Sequence, residues 1–124
     1  MQEQAPLRGK RLLVAEDEAV IALDYAAALS AAGAEIVGMA RTTADVLAYL
    51  ARRTIDVAIL DFVLADGNSS ELQAILREKR VPFVVISGYP SVLVRESRAQ
   101  RVLRKPADPD ALRAAVIELC NGGS

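Results

Sequence analysis

The chain has 124 residues, 52% of them apolar and 25% charged, which is typical of one globular domain with a real core. Its net charge of −1 gives no argument for binding nucleic acid or an acidic membrane surface. Without histidine and with one cysteine, the chain lacks the side chains for a usual zinc site or for a Ser-His-Asp or Cys-His catalytic pair.

The lack of histidine and of a second cysteine limits both the cellular compartment and the kind of metal site that we expect. A single cysteine, Cys120, cannot form an internal disulfide and fits a reducing compartment. No stretch approaches the length of a membrane-spanning segment, so we expect a cytoplasmic protein without nucleic-acid or membrane partners. Any metal would be a hard ion bound by oxygen.

Short apolar runs alternate with stretches of helical periodicity along the chain. Strands are predicted at 12–17, 35–40, 56–62, 82–87 and 101–106. Helices are predicted within 18–34, and at 42–53, 69–80, about 91–99 and 108–120. The first helix has apolar residues at helical spacing: Val20, Ile21, Leu23, Ala27 and Ala28.

Local signals mark where several helices begin and end. Gly33 stands where a C-terminal cap of the first helix belongs. Ser70 with Gln73 forms a plausible capping box, and Asp108 followed by Pro109 is a good helix start.

Five short apolar strands alternating with helices predict an α/β fold, a doubly wound five-stranded parallel sheet with helices on both faces. We expect a flexible N-terminus (1–9), one domain (10–120) and a flexible tail (121–124). Folds of this kind place their sites at the carboxyl ends of the strands.

Charged and polar residues stand at four of the predicted strand ends. The first strand ends in Glu16 and Asp17, the third in Asp61, the fourth in Ser87, and the fifth in Lys105. Three carboxylates that lie close together repel, so the site needs cations or a protonated acid. Mg²⁺ fits because it takes oxygen ligands, and the lysine adds a second positive charge.

A carboxylate between Mg²⁺ and an ammonium is well placed to attack phosphorus. Asp61 is the best nucleophile candidate because it ends a central strand. Asp17 would bind the metal directly, Glu16 through water, and Val63 through its backbone carbonyl. Ser87 would donate a hydrogen bond to a phosphoryl oxygen.

Each of these residues also has a purely structural interpretation. An acid after a strand, such as Asp17 or Glu18, is often only a helix cap, and Ser-Gly or Lys-Pro is often only a turn. Their joint occurrence at successive strand ends favours the functional interpretation.

The motifs "LLVAED", "VAILDF", "VVISG" and "VLRKP" resemble the receiver domain of bacterial two-component response regulators, the CheY-like family, over roughly residues 10–120. The resemblance implies the strand order 2-1-3-4-5 and a cis peptide bond before Pro106. It implies that Asp61 accepts a phosphoryl group from a histidine of a sensor kinase or of a phosphotransfer protein. It also implies that Asp17, Asp61 and the Val63 carbonyl bind Mg²⁺ with help from Glu16.

In this family, the residues at the positions of Ser87 and Lys105 bind the phosphoryl group and report its arrival. Two features depart from the pattern: the loop after Asp61 is shortened and lacks a proline, and Val102 stands where the family has an aromatic switch residue. Tyr89 is the candidate substitute, although its ring could instead only cap the sheet edge.

The stretch "PFVVISGY" resembles the Pro-Phe-x-x-x-Thr/Ser-Gly-Tyr signature of an atypical receiver subfamily common in alphaproteobacteria. That subfamily is associated with stand-alone receivers and with general stress and HWE-type kinase signalling.

We therefore expect a single-domain response regulator, a switch that acts by contact with a downstream protein rather than an enzyme that turns over a metabolite. A receiver cut from a hybrid kinase or larger regulator is an alternative. An aspartyl-nucleophile phosphohydrolase is disfavoured because Val63 stands where those enzymes place a second Asp. A nucleotide or flavin binder is disfavoured because no Gly-rich phosphate loop follows the first strands. A receiver that works without phosphorylation is disfavoured because every acidic and cationic position is filled.

Overall fold

The computed structural model describes residues 5–88 and 101–122, with the side chain of Arg101 left out. The helix predicted at about 91–99 and the switch candidate Tyr89 lie outside the described residues. The helices are α1 (Ala19–Ala31), α2 (Thr43–Arg52), α3 (Ser70–Glu78) and α4 (Pro109–Cys120). The strands are β1 (Arg11–Ala15), β2 (Glu35–Ala40), β3 (Val57–Asp61), β4 (Val63–Leu64), β5 (Gly67–Asn68), β6 (Phe83–Ser87) and β7 (Arg101–Arg104).

Five strands form a parallel sheet in the order β2-β1-β3-β6-β7, which confirms the predicted fold and strand order. Two further strands, β4 and β5, form a short antiparallel hairpin directly after β3. The hairpin was not predicted, because two-residue strands carry no alternation that a sequence pattern could reveal.

Alternate residues of the central strands face two separate apolar layers. On one face, Val14 and Ile59 pack in a cluster with residues of α1 and α4. On the other face, Leu13 and Leu60 pack in a cluster with residues of α2 and α3. All five residues of β3 are buried, so Asp61 ends a strand that is covered on both sides.

The buried face of α1 differs from the predicted one. Its buried residues are Ala22, Tyr25 and Leu29, whereas Val20 and Leu23 are 72% and 56% exposed. The prediction was wrong because α1 is apolar on almost every side, so helical spacing alone does not identify the face that packs on the sheet.

Three of the predicted helix ends can be compared with the structure. Gly33, with a φ of 101°, follows the end of α1 as predicted, and Asp108 is the N-cap of α4. The predicted capping box at α3 is wrong: Ser69 is the N-cap and Ser70 is the first helical residue. Gln73 is buried and its amide Nε2 donates to the Ser69 hydroxyl, 3.2 Å away.

The packed part of the chain begins before the predicted boundary at residue 10. Leu7 is completely buried in the α1–α4 layer, and its N–H donates to the carbonyl of Ala32 at 2.8 Å. Burial of an apolar side chain that can reach the core is favourable. The polar residues around Leu7 concealed this in the sequence. Within the described residues, no helix is long and apolar enough to span a bilayer.

Candidate functional site

Residues at the ends of four parallel strands meet at one edge of the sheet. Glu16 follows β1, Asp61 ends β3, Ser87 ends β6 and Lys105 follows β7. Because all of these strands are parallel, their carboxyl ends lie on the same side, where the sequence places the site.

Lys105 is the cation at the centre of this edge. Its Nζ donates a hydrogen bond of 2.7 Å to Oδ2 of Asp61 and lies 3.2 Å from Oε1 of Glu16. Oε1 of Glu18 is 3.9 Å from the same ammonium. Two of these carboxylates are buried, since Glu16 is 1% exposed and Asp61 is 6% exposed. One ammonium therefore offsets the charge of a partly dehydrated acidic cluster.

The burial of Glu16 changes its protonation. Burial, together with the charge of Asp61 and a hydrogen bond with Asp17, raises the pKa of Glu16 from 4.5 to about 7, against the lowering effects of the Glu18 N–H and Lys105. Burial alone would lower the pKa of Lys105, but its hydrogen bond and charge interaction with Asp61 outweigh that effect and raise it. The lysine is therefore fully charged at neutral pH.

The two oxygens of Glu16 have different surroundings. Oε2 accepts a hydrogen bond of 3.0 Å from the Glu18 N–H. Oε1 is buried, and within the described residues the group that faces it is the Lys105 ammonium, 3.2 Å away. A buried carboxylate oxygen without a hydrogen bond is costly in isolation and is satisfied by a bound cation or by that cation's water.

Three consecutive acids form a candidate metal-binding group. Carboxylate oxygens of Glu16, Asp17 and Glu18 lie within 4.8 Å of one another. All are hard oxygen donors, and with the buried Oε1 of Glu16 they fit Mg²⁺. Asp61 is outside this group and is held by Lys105 instead. Sequence reasoning gave Glu18 no ligand role and treated it only as a possible helix cap.

Val63 stands beside the Asp61 side chain at the start of the hairpin. Its N–H donates to Oδ1 of Asp61 at 3.3 Å. The two residues line an open cleft together with Asp17, Glu18, Gly88 and Lys105. The predicted nucleophile and three of its predicted neighbours, Asp17, Val63 and Lys105, thus share one solvent-accessible space.

The β6–β7 side of the site carries the remaining predicted residues. Ser87 is 1% exposed, and its carbonyl accepts a hydrogen bond of 2.8 Å from the Lys105 N–H. The Lys105–Pro106 peptide bond is cis. Val102 pairs with Val85 in the sheet, so no aromatic ring occupies that position of β7.

Two residues that sequence reasoning did not assign to the site connect its loops. Asp66, interpreted only as part of a turn, accepts hydrogen bonds from the N–H groups of Thr43 and Ala44 at the start of α2. Arg41 donates from Nε to the carbonyl of Asp17 at 3.2 Å. The signal in the sequence was the Asp66-Gly67 turn that follows Asp61. This signal does not identify the bonding partner, Thr43, which lies far away in the sequence.

Comparison with known proteins gives a consistent result. The family model described as "Response regulator receiver domain" matches residues 12–117. The phyllosphere-induced regulator PhyR of Methylorubrum extorquens is 28% identical over 122 residues, which is 94% of this chain and 46% of PhyR. The chain thus spans about half the length of this curated relative.

Two solved structures support the same grouping. The response regulator PhyR from Brucella abortus superposes with a TM-score of 0.80 at 27% identity, covering 93% of this chain and 49% of that one. The solution structure of the receiver domain of PhyR from Erythrobacter litoralis superposes with a TM-score of 0.80 at 25% identity, covering 91% of each chain.

Proposed function

Because the chain belongs to the response regulator receiver family, we propose that it is a phosphorylation switch in two-component signalling whose phospho-acceptor is Asp61. The observation that carries this proposal is the 2.7 Å hydrogen bond between Lys105 and Asp61 beside the acidic group that follows β1. The Asp61 carboxylate is thereby held next to a permanent cation at an open cleft.

The proposed step is transfer of a phosphoryl group from a donor histidine. A carboxylate oxygen of Asp61 forms a bond to phosphorus while the bond from phosphorus to the donor nitrogen breaks, and the imidazole leaves with the electron pair. Lys105, already beside Asp61, stabilises negative charge on the phosphoryl oxygens. Ser87 donates its hydroxyl hydrogen to one of them.

Mg²⁺ is the proposed cofactor. Asp17, Asp61 and the Val63 carbonyl would hold it, with Glu16 acting through water. When bound, Mg²⁺ supplies positive charge that offsets the charge of the transferred group. Glu18 joins this proposal because its carboxylate lies in the same acidic group.

The partners would be a sensor histidine kinase or histidine phosphotransfer protein and a downstream protein. Val20 and Leu23, exposed on α1 just after the acidic group, support docking of a protein donor at this mouth. Leu23 lines a groove with Met39 and Arg41, so apolar and basic side chains adjoin the site. Such exposed apolar clusters mark protein contacts.

The output is proposed to be a change of protein contacts in the cytoplasm, not metabolite turnover. PhyR of Methylorubrum extorquens is about twice as long as the matched region, so a receiver within a longer regulator would use the same site. Tyr89 as the substitute for an aromatic at Val102 stays a prediction.

Incubation with acetyl phosphate and Mg²⁺, read by intact mass, tests the phospho-acceptor. Wild type should gain one phosphoryl group, Asp61→Asn should gain none, and chelation of Mg²⁺ should abolish labelling. Asp24→Asn, which removes an exposed aspartate of α1, is the matched control and should be labelled like wild type. Equal labelling of wild type and Asp61→Asn would refute the assignment.

A further inference from the structure

The β4–β5 hairpin carries Val63 and is too small to be stable without support. Its pairs are Val63 with Asn68 and Leu64 with Gly67, and Ala65 and Asp66 form the turn. Gly67 has a φ of 126°, which side-chain-bearing residues rarely adopt. Two strands of two residues do not hold their own geometry in water, so contacts outside the hairpin must fix it.

The base of the hairpin is fixed by a buried serine. The N–H and the hydroxyl of Ser69 both donate to the carbonyl of Phe62, at 2.7 and 3.1 Å. Ser69 is completely buried, and the Gln73 amide donates to its hydroxyl oxygen. These hydrogen bonds fix the backbone of Phe62, the residue between Asp61 and Val63.

The tip of the hairpin is fixed by the start of α2. Asp66 accepts from the N–H of Thr43 at 2.9 Å and from the N–H of Ala44 at 3.4 Å. These hydrogen bonds lower the pKa of Asp66, so its carboxylate is charged at neutral pH. A carboxylate at a helix N-terminus also interacts favourably with the helix dipole.

The same contact reaches the acidic group through Arg41. The Arg41 carbonyl accepts from the Ala65 N–H at 3.0 Å, and the Arg41 guanidinium donates to the Asp17 carbonyl. A series of hydrogen bonds therefore connects the hairpin tip, through the segment before α2, to the backbone of Asp17.

We propose that Asp66 is a positioning residue of the Asp61 site: by bonding the start of α2, it fixes the hairpin and places the Val63 carbonyl for Mg²⁺. Val63 lies between the base fixed by Ser69 and the tip fixed by Asp66. The inference rests on the proposed function, because it assumes that Mg²⁺ binds at Val63. It adds a residue that touches neither the metal nor the phosphoryl group.

Thr42 offers a matched control because its side chain caps the same helix through a bond within that helix. Its hydroxyl oxygen accepts from the Asp45 N–H at 3.0 Å. Thr42→Ala and Asp66→Ala each remove a cap of α2, and caps of this kind contribute similar amounts to stability. Only Asp66→Ala also removes the side-chain hydrogen bonds that join the hairpin tip to α2.

The test is Mg²⁺ affinity, measured by NMR titration of the full chain with MgCl₂ at constant ionic strength. Asp66→Asn and Asp66→Ala remove the same charge, but the asparagine keeps an oxygen that accepts from Thr43. Mg²⁺ should bind Asp66→Ala about tenfold more weakly than wild type and at least threefold more weakly than Asp66→Asn. Thr42→Ala should bind Mg²⁺ like wild type.

Three results would overturn the proposal: equal affinities for Asp66→Ala and Asp66→Asn, a wild-type affinity for Asp66→Ala, or an equal loss in Thr42→Ala. If Asp66→Ala does not fold, the NMR titration of the wild-type protein still tests the proposal. The Thr43 and Ala44 amides should shift on Mg²⁺ addition with the same midpoint as Val63, and their constancy would refute the coupling. Failure of wild type to bind Mg²⁺ would remove the proposed metal site itself, and this inference with it.

Discussion

Lys105 reaches Asp61 across an intervening strand. The two residues stand at the ends of β7 and β3, with β6 between them, and yet Nζ lies 2.7 Å from Oδ2. The Lys105 backbone N–H is bonded to the Ser87 carbonyl at the end of β6. The lysine therefore connects three strand ends. A change in the charge of Asp61 alters the interaction with Lys105, which directly follows β7.

Removal of the Lys105 charge should raise the pKa of Glu16 further. The ammonium is one of the two influences that lower this pKa, while burial and Asp61 raise it. In Lys105→Met without Mg²⁺, the Glu16 pKa should therefore lie above its wild-type value of about 7. Carboxyl carbon NMR in EDTA measures the shift. Lys79→Met, at an exposed lysine, should leave it unchanged, and an unchanged or lower value in Lys105→Met would contradict the prediction.

Glu16 should make the metal-free protein less stable as pH rises from acid to neutral. The pKa of Glu16 is raised from its usual 4.5 to about 7 in the fold, so the native state binds the proton more tightly than the unfolded chain. The resulting stability is full below pH 4.5 and is lost as pH approaches 7. The shift corresponds to roughly 3 kcal/mol of unfolding free energy.

Urea unfolding in EDTA at several pH values measures this contribution. Glu16→Gln should flatten the decrease between acid and neutral pH, because glutamine has no proton to lose. Glu78→Gln, at an exposed glutamate of α3, should keep the wild-type slope. A decrease of equal size in Glu16→Gln would assign the slope to other groups.

The strand-end residues could be predicted because each one is identified from its own strand, by the rule that sites in such sheets lie at the carboxyl ends of the strands. Asp61 ends an apolar run and Lys105 stands at the end of the last predicted strand, and parallel strands bring their ends to one edge whatever the loops do. The face of α1 could not be predicted, since Val20 and Leu23 are as apolar as the buried Leu29.

The Asp66 contact could not be predicted for a different reason. Asp66 bonds the Thr43 N–H, 23 positions earlier, only because the hairpin folds toward the start of α2. Local sequence around Asp66 encodes the turn but not the neighbour that the turn meets. Glu18 was underestimated similarly, because an acid just before a helix has a sufficient local explanation as a cap.

Gly38 lies against the ring of Tyr49, and alanine there should destabilise the protein. A Cβ at Gly38 would overlap the Tyr49 ring, which packs against the α2–α3 layer. The ring can move at its far end, so the expected cost is about 1 kcal/mol, near the lower limit for overpacking. Urea unfolding of Gly38→Ala, of Tyr49→Ala and of the double variant measures it. The alanine at 38 should cost nothing once the ring is gone, and strictly additive costs would refute the proposed overlap.

Mg²⁺ should stabilise the fold, and more strongly at pH 7.5 than at pH 5. A ligand that binds only the native state at 100 times its Kd adds about 2.7 kcal/mol. At pH 5 the proton on Glu16 opposes cation binding, since its pKa is about 7. Thermal unfolding with MgCl₂, compared with NaCl of equal ionic strength, measures the gain. Asp17→Asn should lose most of it, whereas Asp24→Asn should keep it. Equal stabilisation by both salts would show that screening, and not a bound ion, relieves the repulsion among the acids.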